Sequence, residues 1–463
     1  MTSTARAQQQ APGSIFAGQL RATTVGILTL ITLIAFEAMA VSAALPTAAR
    51  ELHGLAAYGW AFTGFLVANV VAMVASGQIC DARGPRPAVL VGVACFVAGL
   101  LVAGTATTML QLVAGRVVQG LGGGLMITAI YVVMGEAYPS RLRPPLFAAT
   151  SSAWVVPSLI GPAISGLLAQ HASWRWVFLG LAPFCVLGGV LIAPTLRKLA
   201  TPTTRTGRFA GPSRLARAVA VAAGVAALEQ AGQHPSLWAI GIAVAGLLVL
   251  VWGIRRLVPA GTFRVRPGVS AAVALRGLLA GAFFGVESTV PLSLTLQHGY
   301  GATVAGLPLA CAGLSWAFGS WVQGRADDSR GPHVRARLVR AGFGCVAVAA
   351  ALMAVAAVPG PTAWCAFVSW LIAGFGAGLA MSSASVLLLN FTTDATRGAD
   401  SAALQLADST ANALTTGIAG VLIAAAARHA IGFTAAFTGV DLAMCAIAAV
   451  GFAAAVRARP ART

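Results

Sequence analysis

Charged side chains are scarce in this sequence. They make up 9% of its 463 residues, against about 25% in a soluble domain. So little polar surface cannot face water all round, which excludes a string of soluble domains. Lysine is nearly absent: Lys198 is the single one, and no G-x-x-x-x-G-K-[ST] segment occurs. That excludes a phosphate-cradling loop, and with it an ATP-driven mechanism within this chain. Cys80, Cys95, Cys185, Cys311, Cys345, Cys365 and Cys445 show neither paired metal spacing nor a disulfide framework, so they read as packing residues. His53, His171, His234, His298, His333 and His429 lie at loops or span ends without ligand spacing. No metal or cofactor is expected, and with no nucleophile constellation the chain is not read as an enzyme.

What is present is apolar. Hydrophobic residues make up 58% of the chain, and the mean hydropathy is +0.84. The apolar runs reach about 20 residues or more without period-2 alternation, so helices rather than a β-barrel satisfy the backbone in lipid. Fourteen spans are expected, the first over 24–46 and the last over 432–456. The first run is too long for a signal-peptide core and many more follow it, so it reads as a span.

The formal net charge is +18, yet its placement points to topology rather than to nucleic acid. Loops after even-numbered spans hold Arg83, Arg86, Arg141, Arg143, Arg255, Arg256, Arg264, Arg266, Arg325, Arg330, Arg335 and Arg337. Loops after odd-numbered spans hold only Arg50, Arg175 and Arg428. Positive loops stay on the cytoplasmic side, so both termini are expected there, in the cell membrane.

A turn motif, G-x-x-x-D-x-R-G-P, occurs twice. Gly77, Asp81, Arg83 and Gly84, with Arg86 just beyond, return as Gly324, Asp328, Arg330 and Gly331. Glycine-dense stretches also pair, Gly120 to Met126 with Gly374 to Ala380. A duplicated charged turn between apolar spans indicates two related halves. The expected organisation is a cytoplasmic tail 1–22, a six-helix bundle 23–196, a cytoplasmic loop 197–213, an extra span pair 214–257, a second six-helix bundle 258–456 and a tail 457–463. The fold class is therefore all-α and polytopic: two pseudo-symmetric six-helix bundles plus two extra helices.

Acidic residues are few enough to weigh singly. Glu37, Glu287, Asp408 and Asp441 fall within spans, where ionisable groups are expensive and mark function. From helix rise, Glu37 lies about 13 Å below the outer end of its span and Arg116 about 10 Å below its own, so the two can meet. A carboxylate whose proton affinity depends on a movable arginine is a basis for proton coupling. Glu287 is expected to face Glu37 across a central cavity, with Asp408 nearby. Asp441, on the last span, is open to a functional reading and equally to a structural, hydrogen-bonded one. Glu136 and Glu229 are placed near helix ends, within reach of the interface. Trp154, Phe283, Phe284 and Trp370 are candidate aromatic surface for a substrate. Asp81, Arg83, Arg86, Asp328 and Arg330 are read as a cytoplasmic gate. Pro157, Gly161, Pro162 and Gly166 predict a bent, closely packed fifth span, a hinge or seal.

These residues together resemble the major facilitator superfamily. Gly77 to Arg86 is similar to its loop 2–3 motif. Leu112, Arg116, Gln119 and Gly120 are similar to its fourth-helix motif, whose arginine is implicated in proton coupling. Gly161-Pro162 through Gly166 resembles its helix-five antiporter motif, followed by a typical Ser173-Trp-Arg-Trp-Val-Phe178. Fourteen spans with an inserted central pair resemble the fourteen-helix drug:proton antiporter branch, and Ala44-Leu45-Pro46 matches that branch's first span, with Glu37 near its aspartate. The resemblance implies proton-coupled efflux of amphipathic small molecules, antibiotics among them, from the inner membrane by a monomer. Uptake symport or uniport of a metabolite is the first alternative, and a non-transporting receptor or embedded enzyme the second.

Overall fold

The computed structural model describes residues 14–18, 20–139, 142–199, 212–233, 237–330, 333–392 and 397–458. Most of the expected loop 197–213, and most of the tails 1–22 and 457–463, lie outside the described residues. The first half comprises α1 (Leu20–Glu51), α2 (Tyr58–Arg83), α3 (Pro85–Gly104), α4 (Met109–Ala137), α5 (Arg143–His171), α6 (Arg175–Leu179) and α7 (Ala182–Lys198). An inserted pair follows, α8 (Pro212–Gln233) and α9 (Leu237–Ile254). The second half comprises α10 (Val269–Glu287), α11 (Val290–His298), α12 (Ala302–Arg330), α13 (His333–Ala356), α14 (Trp364–Phe391), α15 (Arg397–Ala427) and α16 (Phe433–Ala454). No strand occurs among the described residues.

Twelve helical segments among the described residues are long and apolar enough to cross a membrane. Two further helices are α5, with Pro157 and Pro162 inside it, and the shorter apolar α9. The chain is a multi-pass membrane protein.

Two spans expected to be continuous are broken. The run over 173–196 divides into α6 and α7 at Gly180-Leu181, and the run over 268–296 into α10 and α11 at Ser288-Thr289. A proline stands in the first turn of each restarted helix, Pro183 and Pro291. Proline lacks an N–H and favours that position. At the second break Ser288 Oγ donates to Gly285 O at 2.8 Å, and Thr289 Oγ1 to Val286 O at 2.9 Å. These bonds help satisfy carbonyls that lose helical partners, in a region where water is scarce.

The sequence repeat reappears as packing. A Cβ on Gly120 would run into the carbonyl of Phe65, and one on Gly124 into that of Asn69. In the second half Gly374 faces the carbonyl of Ala312, and Gly378 that of Trp316. On the other side of the same helices, Gly122 abuts Gly92 and Phe96, and Gly376 abuts Gly342 and Cys345. So α4 is pressed between α2 and α3 as α14 is between α12 and α13. Small residues four apart give this close approach in lipid, where apolar burial alone does not drive helices together. The first turn motif has a local reason as well. Gly84 has φ +77°, a left-handed conformation that glycine tolerates, and Pro85 starts α3 directly after it.

Each half buries its own core. Phe96, Met126, Tyr138 and Trp174 belong to the first, and Phe283, Phe343, Trp370 and Met444 to the second. The inserted pair packs against both halves: Val221, Val225 and Leu250 meet Ala413 of α15 and Leu66 and Val67 of α2. The bundles also join at the end opposite the chain termini. There the Tyr58 hydroxyl donates to Ser288 O at 2.8 Å, and a Cβ on Gly166 of α5 would meet Ala302 O and Thr303 Cα of α12 at 2.7 Å.

Candidate functional site

Between the bundles lies a cavity of about 230 Å³ walled by α1, α2, α4, α5, α10 and α15. Its polar lining includes Ser42, Asn69, Arg116, Glu287, Gln405, Asp408, Ser409 and Asn412, and its aromatic lining includes Phe62, Phe65, Trp154 and Phe284.

Arg116 and Glu37 form an ion pair with 3% and 0% exposure. Three further contacts hold the guanidinium: Nε donates to Ala61 O at 2.9 Å, Nη1 donates to Gln119 Oε1 at 3.1 Å, and Cζ stands 4.3 Å from the centre of the Phe65 ring. Arg116 therefore has partners besides the carboxylate. Glu37 Oε2 has no hydrogen-bond partner among the described residues, so that oxygen can accept a proton without giving up a bond. Arg116 lines the cavity and Glu37 does not. The expectation that Glu37 and Glu287 face one another across the space is thus corrected. The carboxylate points from α1 toward α4, and the arginine forms the wall.

Glu287 is the last residue of α10, at the break before α11. Discontinuous helices are a recurrent place for binding groups in transporters. Glu287 makes no ion pair among the described residues. Asp408 does, with a partner that the reading of the sequence overlooked. Arg276 of α10 donates to Asp408 Oδ2 from Nε at 3.1 Å and from Nη2 at 2.9 Å. Its Nη1 donates to Met381 O and Ser385 Oγ of α14. The available signal was a lone arginine inside an apolar run, which needs a partner. The pair keeps 16% and 17% exposure, so it is only partly shielded from solvent. Asp408→Asn is expected to lower stability by about 1–3 kcal/mol, below the cost of breaking a fully buried pair. Thermal unfolding in detergent measures this, and removing Arg276 in the same variant should restore most of the loss.

The other predicted residues divide clearly. Trp154 and Phe284 line the cavity. Phe283 and Trp370 do not; their rings meet in a tilted contact at 5.0 Å inside the second core, with Trp316 edge-on to Phe283 at 5.3 Å. Their helix faces turn away from the cavity, which sequence spacing could not show. Asp441 is 1% exposed, with Oδ1 unpartnered among the described residues. On α5, Pro157, Gly161, Pro162 and Gly166 are buried, and Ser165 Oγ donates to Ala40 O at 2.5 Å. Pro162 and Gly166 stand at the seam with α12. Of the turn residues, Gly77 is buried, Asp81 half-buried, and Arg83 and Arg86 exposed. The side chains of Asp328 and Arg330 lie outside the described residues. The Ser173–Phe178 segment clasps the end of α1: Trp174 Nε1 and Arg175 Nη1 donate to the two carboxylate oxygens of Glu51 at 2.7 and 2.6 Å.

Residues 27–416 match the family model described as Major Facilitator Superfamily. A protein of Mycobacterium tuberculosis described as a "probable multidrug-efflux transporter" is 29% identical over 395 residues, which covers 82% of each chain. An MFS transporter of a Phoma species is 32% identical over 177 residues, covering 38% of this chain and 30% of that protein's length. Among solved structures, a peptide transporter in complex with sulfate superposes with a TM-score of 0.68 at 14% identity, covering 99% of both chains. A D-xylose-proton symporter gives 0.66 at 14% identity, covering 95% of this chain and 97% of that one. These two likenesses show the fold alone.

Proposed function

The chain belongs to the major facilitator superfamily, and we propose that it acts in the fourteen-helix drug:proton antiporter branch, exporting amphipathic cations in exchange for protons. The observation that carries this reading is the buried Glu37–Arg116 pair at the wall of the central cavity. Count the charged groups at and behind that wall: carboxylates Glu37, Glu287 and Asp408 against guanidiniums Arg116 and Arg276 leave one negative charge when all are ionised. Charge imbalance is expensive in a low-dielectric interior. One positive charge relieves it, and a proton or a cationic substrate supplies it equally well. Competition for that single vacancy is the elementary condition for exchange.

In this reading Glu37 carries the proton and Arg116 reports its presence to the cavity. Glu287, which has no fixed cation, receives the charge of the substrate, while Trp154 and Phe284 face its apolar part. Alternating access rocks the bundles about the cavity, with the α5–α12 contact at Gly166 closing one end and the turn motifs the other. Arginine placement puts the termini in the cytoplasm, so the Gly166 end faces outward. The efflux description of the mycobacterial relative supports the direction.

Purified protein in proteoliposomes with an imposed pH gradient tests this. Accumulation of a fluorescent lipophilic cation should follow the gradient and collapse on adding a protonophore. Accumulation indifferent to the gradient, with equally rapid counterflow, would instead indicate a uniporter.

A further inference from the structure

Glu229 stands one turn before the end of α8, where the sequence suggested a carboxylate reaching the interface. In the structure it is 2% exposed. Its Oε1 accepts a hydrogen bond from Gln233 Nε2 at 3.3 Å. Its Oε2 has the uncharged Thr63 side chain as its neighbour and no further hydrogen-bond partner among the described residues. Two glycines make the seat. A Cβ on Gly59 of α2 or on Gly420 of α15 would meet Oε1 at 2.8 or 3.1 Å. The inserted helix pair therefore lodges one acid in the seam between the two bundles, away from the central cavity.

Beside it opens a second cavity of about 740 Å³, within the range of small-molecule sites. Its walls are Leu228, Ala239, Ala243 and Val421, with the exposed side chains of Ile240 and Ile418 at the rim. The rim belongs to a surface that faces lipid in a membrane protein. An acid in an apolar wall needs a compensating partner. No ion pair supplies one among the described residues.

We infer that the cavity between α8, α9 and α15 is a second binding site, entered from the bilayer, for a monovalent organic cation with an apolar body, whose charge Glu229 holds. The apolar walls select a molecule that partitions into lipid, and the carboxylate, buried just behind the wall among the uncharged Gln233 and Thr63, selects one positive charge. The assignment takes from the proposed function only the class of ligand. Binding measured without a gradient separates its failure from a failure of antiport.

The test uses a photoreactive derivative of tetraphenylphosphonium with the full chain in lipid nanodiscs at fixed pH. After irradiation, adducts are mapped by peptide mass spectrometry. Adducts are expected on α8, α9 or α15 around this cavity. Glu229→Gln should reduce them about tenfold, roughly 1.4 kcal/mol of affinity, while Glu287→Gln leaves them in place. Ala243→Trp, which fills the cavity with the carboxylate intact, should reduce them as well. This second variant keeps the test valid if Glu229→Gln folds poorly. Adducts confined to the central cavity would overturn the inference. So would labelling of Glu229→Gln equal to wild type, or equal labelling by a neutral isostere with carbon in place of phosphorus, which would mark a lipid-chain pocket.

Discussion

Glu37→Gln is expected to abolish transport driven by a pH gradient, lowering the initial rate about 100-fold, an effect of ~2.7 kcal/mol. Glutamine keeps the shape and removes the proton-binding site. Arg116 retains Ala61 O, Gln119 Oε1 and the Phe65 ring, so the wall of the cavity should stand. Exchange of substrate for substrate, which needs no proton, should continue but require more substrate, because glutamine mimics the protonated state in which the single negative charge is already relieved. Rates in proteoliposomes with and without a gradient measure both. Gradient-driven rates equal to wild type would remove Glu37 from the coupling role. The reverse deletion behaves differently. Arg116→Leu leaves a carboxylate with 0% exposure and no counterion, and breaking such a pair costs about 3–5 kcal/mol. Loss of folded protein is expected there, and the double variant Glu37→Gln/Arg116→Leu should recover stability but not coupled transport.

Gly120→Val and Gly374→Val are expected to reduce the yield of folded protein to nearly nothing, each by the same cause in its own half. The added side chain meets a backbone carbonyl, that of Phe65 or of Ala312. A flexible side chain can swing aside; a carbonyl within a helix cannot. Overpacking costs about 1–3 kcal/mol where side chains yield, and helices forced apart lose further contacts along their length. Gly135→Val, on the same helix as Gly120 but with nothing within 4 Å of its added Cβ, is the control and should fold normally. Size-exclusion profiles and melting temperatures in detergent read all three. Two halves that respond alike would show that the repeat is retained for packing. Normal folding of Gly120→Val would mean that α2 and α4 do not approach as described.

Some of the site was legible early. The level of Glu37 and that of Arg116 followed from helix rise alone, because both helices are long and run the full depth of the bundle. Rotation about the helix axis did not follow. An apolar span has no polar face to orient it, so Phe283 and Trp370 were placed at the cavity although their rings lie in the core, and Glu37 was turned toward a space that Arg116 lines. Arg276 lies within an apolar helix, where a solitary charge is the one mark of a pair whose partner stands on another helix. Glu229 was read as interfacial because helix ends usually are. Only the packing of α8 across α2 and α15 buries it.

The sequence by itself determined the class of molecule. Scarce charge, long apolar runs, alternating arginine loops and a repeated turn are local or one-dimensional properties, and each has one physical outcome in a bilayer. Which charged groups pair, which aromatic rings reach the cavity, where two helices break and what the inserted pair covers were decided by the tertiary structure. Those outcomes depend on the rotation and neighbours of helices whose apolar sides are chemically alike, and a pattern along the chain carries no record of them.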